Sequence, residues 1–183
     1  IHLETGRVTG AEALVRWHHP TRGLLPPSEF LDLVGVAGLT GQLTSIAIEQ
    51  ATAAIASFGG SIMVSLNLSA HDLRNTELAA ELRAAIARHG VSPRQLVLEL
   101  TEEHLLDPTG VVATTMNELA AIGVWIAVDD FGTGYSSLMH LRSLPLSHLK
   151  IDREFVTGVL ENDHDRVIVR AVTDLAHNLG LSV

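Results

Sequence analysis

The sequence contains no cysteine, which excludes disulfide bonds, zinc sites with thiolate ligands and cysteine nucleophiles. Aromatic residues make up only 4% of the chain, so the core must be built from aliphatic side chains. Positive charge is also scarce, with 12 Lys and Arg against 21 Asp and Glu and a formal net charge of -9. This balance argues against a broad electrostatic grip on DNA or RNA, and an anionic ligand would need metal ions or a local arginine.

Long hydrophobic runs are absent as well. No uninterrupted apolar segment approaches the roughly 20 residues that span a bilayer, and no signal-peptide pattern opens the chain. We therefore expect a globular cytoplasmic domain, with membrane anchoring of a longer parent protein left open. The 183 residues and the 46% hydrophobic content fit one domain with a sizeable core. The chain begins at Ile1 without Met and stops at Val183 in mid-pattern, which predicts a segment of a longer protein.

Short β-rich segments alternate with longer segments of helical periodicity. The predicted strands are residues 8–17, 62–68, 96–101, 124–130 and 149–151, and the predicted helices are residues 42–58, 72–89, 111–122 and 166–179. This alternation predicts parallel strands joined by right-handed crossovers. A TIM-like barrel and an open doubly wound sheet both satisfy the pattern, and periodicity alone does not separate them.

Polar side chains occupy one parity of these predicted strands. Ser65 and Asn67 alternate with valine and leucine, Glu99 and Lys150 take the same kind of position in their strands, and Glu12 shares a predicted side with Leu14 and Arg16. A parallel sheet that is covered by helices should instead be apolar on both faces. Polar groups near several strand ends therefore predict a shared site.

The candidate metal ligands are Glu12, Asn67, Glu99, Asp129 and Asp130. All five offer oxygen, which favours Mg²⁺ or Mn²⁺, and the two adjacent aspartates could bridge two ions. Clustered carboxylates without cations would repel one another. Singly, each residue has a structural explanation, such as solvation of Glu12, helix capping by Asn67 or a turn at Asp130. Their combination on successive strand ends indicates a metal site.

Two cationic side chains are further candidates. Lys150 could orient or polarise a metal-bound water, although a lysine at a strand end is more often a surface charge. Arg16 could pair with a phosphate oxygen, or form an ion pair with a neighbouring carboxylate. We interpret Gly132-Thr133-Gly134 as a hinge. The Asp130-Phe131-Gly132 triplet also occurs in protein kinases, but the glycine-rich loop, strand lysine and His-Arg-Asp loop of a kinase are absent.

Five motifs resemble, in order and spacing, the signature of the EAL domain family. They are Glu12-Ala13-Leu14-Val15-Arg16-Trp17, Leu66-Asn67-Leu68-Ser69, Glu99-Leu100-Thr101-Glu102, residues 129–138 and Leu149-Lys150-Ile151-Asp152. The resemblance covers essentially the whole chain. It implies an α/β fold, a TIM-like (β/α)8 barrel with one antiparallel strand. It also implies hydrolysis of one phosphodiester bond of cyclic di-GMP, a bacterial second messenger, to give linear pGpG.

The resemblance also implies roles for single residues. The five metal candidates would hold two Mg²⁺ or Mn²⁺ ions. The other expected site residues are Lys150, Glu102 and Asp152 for catalysis and Arg16 and Leu14 for substrate binding. Lys150 would help position the attacking water, and Asp152 would support the water or the guanine end. Glu102 would tether the loop beginning at Phe131, which in the family joins the active site to a dimer interface.

The partners implied are cyclic di-GMP, a second copy of the chain, and sensory or GGDEF domains in a parent protein, with no DNA or RNA polymer. The family's opening Gln-Pro strand and its later Ala-Glu-Gly-Val and Gln-Gly motifs are missing. We expect one EAL domain over residues 1–183 that is incomplete at both ends. The 183-residue chain should be nearly inactive and prone to associate through open sheet edges. A receptor that binds cyclic di-GMP without cleaving it, and an interaction domain without nucleotide, are the alternatives. The metal ligands that are present favour the enzyme.

Overall fold

A computed structural model of the chain describes residues 1–59, 62–102, 110–132 and 138–183, with residues 138–140 described by their backbone alone. The described strands are β1 (Gly10–Ala13), β2 (Trp17–His19), β3 (Gly23–Leu25), β4 (Met63–Asn67), β5 (Leu96–Thr101), β6 (Trp125–Phe131) and β7 (His148–Ile151). The described helices are α1 (Leu31–Val36), α2 (Thr40–Ser57), α3 (Ala70–Leu73), α4 (Leu78–His89), α5 (Val111–Ile122), α6 (Leu138–Ser143), α7 (Arg153–Gly158) and α8 (Asp163–Asn178). Among them, none combines the length and the apolar character that crossing a membrane requires.

Five strands form the main sheet in the order β1-β4-β5-β6-β7, and every pair in it is parallel. Parallel neighbours need crossover connections, which the helices supply. After α8 the chain returns beside β7, where Ser182 pairs with His148. The sheet is curled and carries helices, so it forms a partial (β/α) barrel, which confirms the predicted fold class. Within the described residues, antiparallel pairing joins β2 to β3 in a separate sheet and does not occur in the main one.

Some predicted boundaries were wrong. The strand predicted at residues 8–17 is interrupted, because β1 ends at Ala13 and Trp17 already begins β2. The shared side predicted for Glu12, Leu14 and Arg16 is therefore not a strand face. The helix predicted at residues 72–89 is divided into α3 and α4, since the Asn75 side chain accepts a hydrogen bond from the N–H of Glu77 at 3.0 Å and closes a local turn. In contrast, β5 and α5 have the predicted bounds.

The outer face of the main sheet packs against the helices through aliphatic side chains, as the composition predicts. The largest fully buried side chains are Ile48, Ile55, Leu73, Leu78, Leu82, Leu96, Leu98, Leu100, Met116, Leu119, Ile126 and Leu149. On β5 the leucines alternate, as a strand with one face on this core requires. Burying a side chain of this size contributes about 1.5–3 kcal/mol. This aliphatic layer fixes the strands against the helices on the outer face of the sheet.

The inner face of the sheet carries polar side chains toward the carboxyl ends of the strands. Asn67 of β4 is level with Glu99 of β5, and Thr101 of β5 is level with Asp129 of β6. Register partners in a parallel sheet lie on the same face. The parity seen in the sequence therefore places these polar side chains together.

Candidate active site

Lys150 on β7 connects the acidic side chains of the inner face. Its Nζ lies 2.7 Å from Oε2 of Glu99 and 3.1 Å from Oδ1 of Asp129. Burial lowers the pKa of Lys150, but the hydrogen bonds and charges of the two carboxylates outweigh burial and raise the pKa above its ordinary value. Lys150 is therefore a cation at neutral pH, able to donate hydrogen bonds but not to accept a proton.

Glu99 is the most enclosed carboxylate of this group, with 3% of its surface exposed. Burial has the largest influence and raises the pKa of Glu99, the hydrogen bond and charge of Lys150 and the hydrogen bond of Ser65 lower it, and the charge of Asp129 raises it. The pKa lies above the ordinary value as a result. A nearby cation stabilises the charged form of a buried carboxylate, because that form has lost contact with water. Ser65 was placed on the polar parity by the sequence, but its hydrogen bond to Glu99 was not predicted.

A β-bulge places Asp129 and Asp130 side by side at the end of β6. The register with β7 shifts between Val128 and Phe131, so the two aspartates stand opposite the single residue Lys150. Asp130 has a φ of 54°, and it is the one non-glycine residue with positive φ among those that the structure describes. This backbone region is costly for most residues, although aspartate tolerates it better than most, and such strain is typical of functional sites.

The environment of Asp130 is strongly acidic. Burial raises its pKa first, followed by the charges of Asp129 and Asp152 and, more weakly, Glu12, while Lys150 lowers it. The result is a pKa above the ordinary value of an aspartate. This repulsion is the cost that we expect for clustered carboxylates in the absence of cations.

On the other side of the cluster, Asn67 contacts Glu12. The Nδ2 atom of Asn67 donates a hydrogen bond to Oε1 of Glu12 at 2.9 Å, across the pair β1 and β4. Ser69, not Asn67, caps the helix that follows β4, with its side chain accepting from the N–H of Asp72. Helix capping therefore does not explain an asparagine at position 67.

Glu102 and Asp152 make defined contacts at the edge of the cluster. Glu102 is 4% exposed, and its Oε2 accepts a hydrogen bond from the N–H of Gly132 at 3.1 Å. Asp152 caps α7 by accepting from the N–H of Glu154 at 2.6 Å. Their catalytic roles stay predictions, as does the dimer interface. Thr133 and Gly134 of the predicted hinge, and the rest of that motif through residue 137, lie outside the described residues.

Leu14 and Arg16 follow β1 and are exposed. The Nη1 of Arg16 donates to the carbonyl oxygen of Val15 at 2.7 Å, and no carboxylate within the described ranges forms an ion pair with it. The described contacts thus do not support the ion-pair alternative for Arg16. Substrate binding by both residues stays a prediction.

The predicted ligands fit a hard divalent cation by their chemistry, since all are oxygen donors on neighbouring strands. The hydrogen bonds and ion pairs of four of them fall into two groups. Asn67 points to Glu12, while Glu99 and Asp129 point to Lys150. Accordingly, no three His, Asp or Glu side chains of the described ranges form a group that could hold a metal ion.

Comparison with curated proteins gives close relatives. MucR of Pseudomonas aeruginosa, a bifunctional diguanylate cyclase/cyclic di-GMP phosphodiesterase, is 37% identical over 182 residues, which are 97% of this chain and 27% of that protein. The cyclic di-GMP phosphodiesterase NbdA of the same organism is 37% identical over 185 residues, 99% of this chain and 24% of NbdA. The chain spans about a quarter of the length of the curated relatives it matches.

Solved structures show the same architecture. The PaMucR phosphodiesterase in complex with c-di-GMP has a TM-score of 0.84 and 37% identity, covering 93% of this chain and 70% of that one. The EAL enzyme Bd1971, with cAMP and cyclic di-GMP bound, has a TM-score of 0.87 and 28% identity over 97% of this chain and 50% of that one. The family model described as "EAL domain" matches residues 1–183. This chain belongs to the EAL domain family.

Proposed function

We propose that this chain is the catalytic part of a phosphodiesterase that hydrolyses cyclic di-GMP to linear pGpG in bacterial second-messenger signalling. The observation that carries the proposal is the cluster on the inner face, in which Lys150 contacts both Glu99 and Asp129. Asp130 lies beside them in the bulge. The relatives MucR and NbdA, whose names include cyclic di-GMP phosphodiesterase, support the proposal.

The metal requirement follows from charge. The chain carries a net charge of -9, and its cluster contains several carboxylates, so an anionic phosphodiester would be repelled without compensation. We assign Mg²⁺ or Mn²⁺ to the oxygen donors Glu12, Asn67, Glu99, Asp129 and Asp130. When bound, such ions activate water and neutralise the charge that develops on phosphate.

The chain's own side chains supply the remaining functions. Lys150, whose Nζ contacts Glu99 and Asp129, orients the attacking water as a hydrogen-bond donor. Arg16 offers a planar guanidinium that can donate two hydrogen bonds to a phosphate. Glu102 holds the backbone of the turn at Gly132, next to the two aspartates.

The proposal is tested by incubating purified full-length protein with cyclic di-GMP and Mg²⁺ or Mn²⁺ and separating the products by chromatography. We expect pGpG to form, and excess chelator to stop its formation. Turnover that persists in chelator would contradict the metal requirement. Tight binding of cyclic di-GMP without product would contradict the enzyme and support a receptor.

A matched pair of variants tests the site. Glu99→Gln removes a carboxylate of the cluster and should abolish turnover. Glu49→Gln removes a carboxylate between α2 and α4, where Glu49 contacts Arg88 and His89, and should leave turnover unchanged. Equal losses of turnover in the two variants would show that the reaction does not take place at the cluster around Lys150.

A further inference from the structure

Asp72 is a buried carboxylate that none of the proposed catalytic steps uses. It is 4% exposed and belongs to α3. Its Oδ1 accepts a hydrogen bond from the hydroxyl of Thr44 at 2.6 Å, and its Oδ2 accepts from the N–H and the hydroxyl of Ser69 at 2.8 and 2.6 Å. No ion pair of the described residues includes Asp72. Three hydrogen bonds thus compensate a charge that would otherwise be costly to bury.

These bonds fix the turn that follows β4. Ser69 comes two residues after Asn67, and Asp72 binds it through both its backbone and its side chain. Through Thr44, the same carboxylate attaches this turn to the 18-residue helix α2. In between, the N–H of Leu68 donates to the carbonyl oxygen of Glu99 at 2.9 Å, which attaches the turn to β5.

The helix α3 cannot fix this geometry by itself. It has four residues, far fewer than a helix needs to be stable alone in water. Its placement depends on the capping box between Ser69 and Asp72 and on the contact with α2. Loss of the Asp72 carboxylate would therefore release the backbone at Ser69, two residues after Asn67, and leave only the bond from Leu68 to β5 between them.

We propose that Asp72 is a positioning residue that fixes the backbone after β4 and so directs the Asn67 side chain at Glu12. The inference rests on the proposed metal site, because Asn67 and Glu12 are two of its ligands. Residues that hold metal ligands in place typically change metal affinity by about 10–100-fold when they are replaced. Asp72 reaches Asn67 through the backbone, so an effect at the lower end of this range is expected.

The first test compares Asp72→Ala with Asn162→Ala in the full-length protein. Asn162 also accepts a hydrogen bond from a helix N-terminus, that of His164 N–H at 2.9 Å, but it is exposed at the start of α8. Mn²⁺ affinity is measured by calorimetry without substrate, and Tm by thermal unfolding. Both changes should lower Tm. Asp72→Ala should weaken Mn²⁺ binding about tenfold, whereas Asn162→Ala should leave it unchanged.

A double-mutant cycle separates positioning from general stabilisation. In an Asn67→Ala background, Asp72→Ala should cause no further loss of Mn²⁺ affinity, because its effect passes through Asn67. Additive losses would overturn the inference. Asp72→Asn keeps the shape and one acceptor, so it should give an intermediate loss and serves as the test if the alanine variant does not fold.

The outcomes also separate this inference from the proposed function. Wild-type binding of Mn²⁺ together with unchanged affinity in the folded Asp72 variants would overturn the positioning role alone. A wild-type protein that binds no Mn²⁺ would overturn the metal site, and the positioning role with it.

Discussion

The two faces of the main sheet are built by the same strands but have opposite energetics. On β5, Leu98 faces the helices and is 1% exposed, while its neighbour Glu99 faces the inside of the partial barrel and is 3% exposed. Burial of the leucine stabilises the fold. Burial of the glutamate raises its pKa, which means that its charged form is disfavoured. Burial to a similar degree therefore stabilises the fold on the outer face, whereas on the inner face it leaves carboxylates whose charge needs nearby cations.

The largest effect should come from neutralising the inner face. Asp129→Asn and Asp130→Asn should each abolish metal-supported turnover, because both residues are proposed metal ligands. The fold should be retained, because removing a charge relieves repulsion within the cluster. Asparagine also tolerates the left-handed backbone of residue 130, where φ is 54°. Turnover with Mn²⁺ and Tm are the measurements, with the exposed Asp163→Asn as control. Unfolding of both variants would assign these residues to structure instead.

The reciprocal change is made on the outer face. Leu98→Ala should lower the free energy of unfolding by about 2–5 kcal/mol because it leaves a cavity in the core. Mn²⁺ affinity of the folded fraction should be retained. Leu160→Ala, at a leucine that is 88% exposed, should change stability by no more than about 0.5 kcal/mol. Urea denaturation gives both free energies of unfolding. Weakened Mn²⁺ binding by folded Leu98→Ala would contradict the distinction between the faces.

The separation of the two faces could be predicted from the sequence because alternation is a local property of a strand. The parity of Leu98 and Glu99 follows from the chain alone, and β5 and α5 have the predicted bounds. The family was recognisable for a similar reason, since its motifs are short and follow in order. These features need no knowledge of the neighbouring strands.

The features that shape the site depend on contacts distant in sequence. Simple alternation would place Asp130 on the face opposite Asp129, but a bulge against β7 interrupts the alternation there. The contact between Thr44 and Asp72 joins residues 28 positions apart, and no local pattern indicates it. Likewise, the end of β1 at Ala13 removes the parity argument for Leu14.

A smaller effect is expected at Arg16, which follows β1 and is exposed. Arg16→Ala should weaken binding of cyclic di-GMP more than binding of Mn²⁺, because a guanidinium can pair with phosphate but cannot ligate a cation. Titration of each ligand separately provides the comparison. Arg22→Ala is the control, since Arg22 forms an ion pair with Glu29 outside the cluster. Unchanged nucleotide affinity in Arg16→Ala would assign Arg16 to structure.

The smallest effect concerns the amino ends of β6 and β7, where His148 lies 5.5 Å from the ring of Trp125 and 3.0 Å from the hydroxyl of Ser147. Burial lowers the pKa of His148 below 6.5, so the unfolded chain binds this proton more readily than the folded chain. The stability that neutral His148 contributes is thus complete above its unfolded pKa and is lost as pH falls through the lower folded pKa.

His148→Phe should flatten the decline of Tm between about pH 7 and about pH 5, whereas His177→Phe, at an exposed histidine, should not. Parallel Tm curves for wild type and His148→Phe would show that burial of this ring does not affect its protonation. The inner face would then disfavour buried charge only at the carboxyl ends of its strands, where the carboxylates lie.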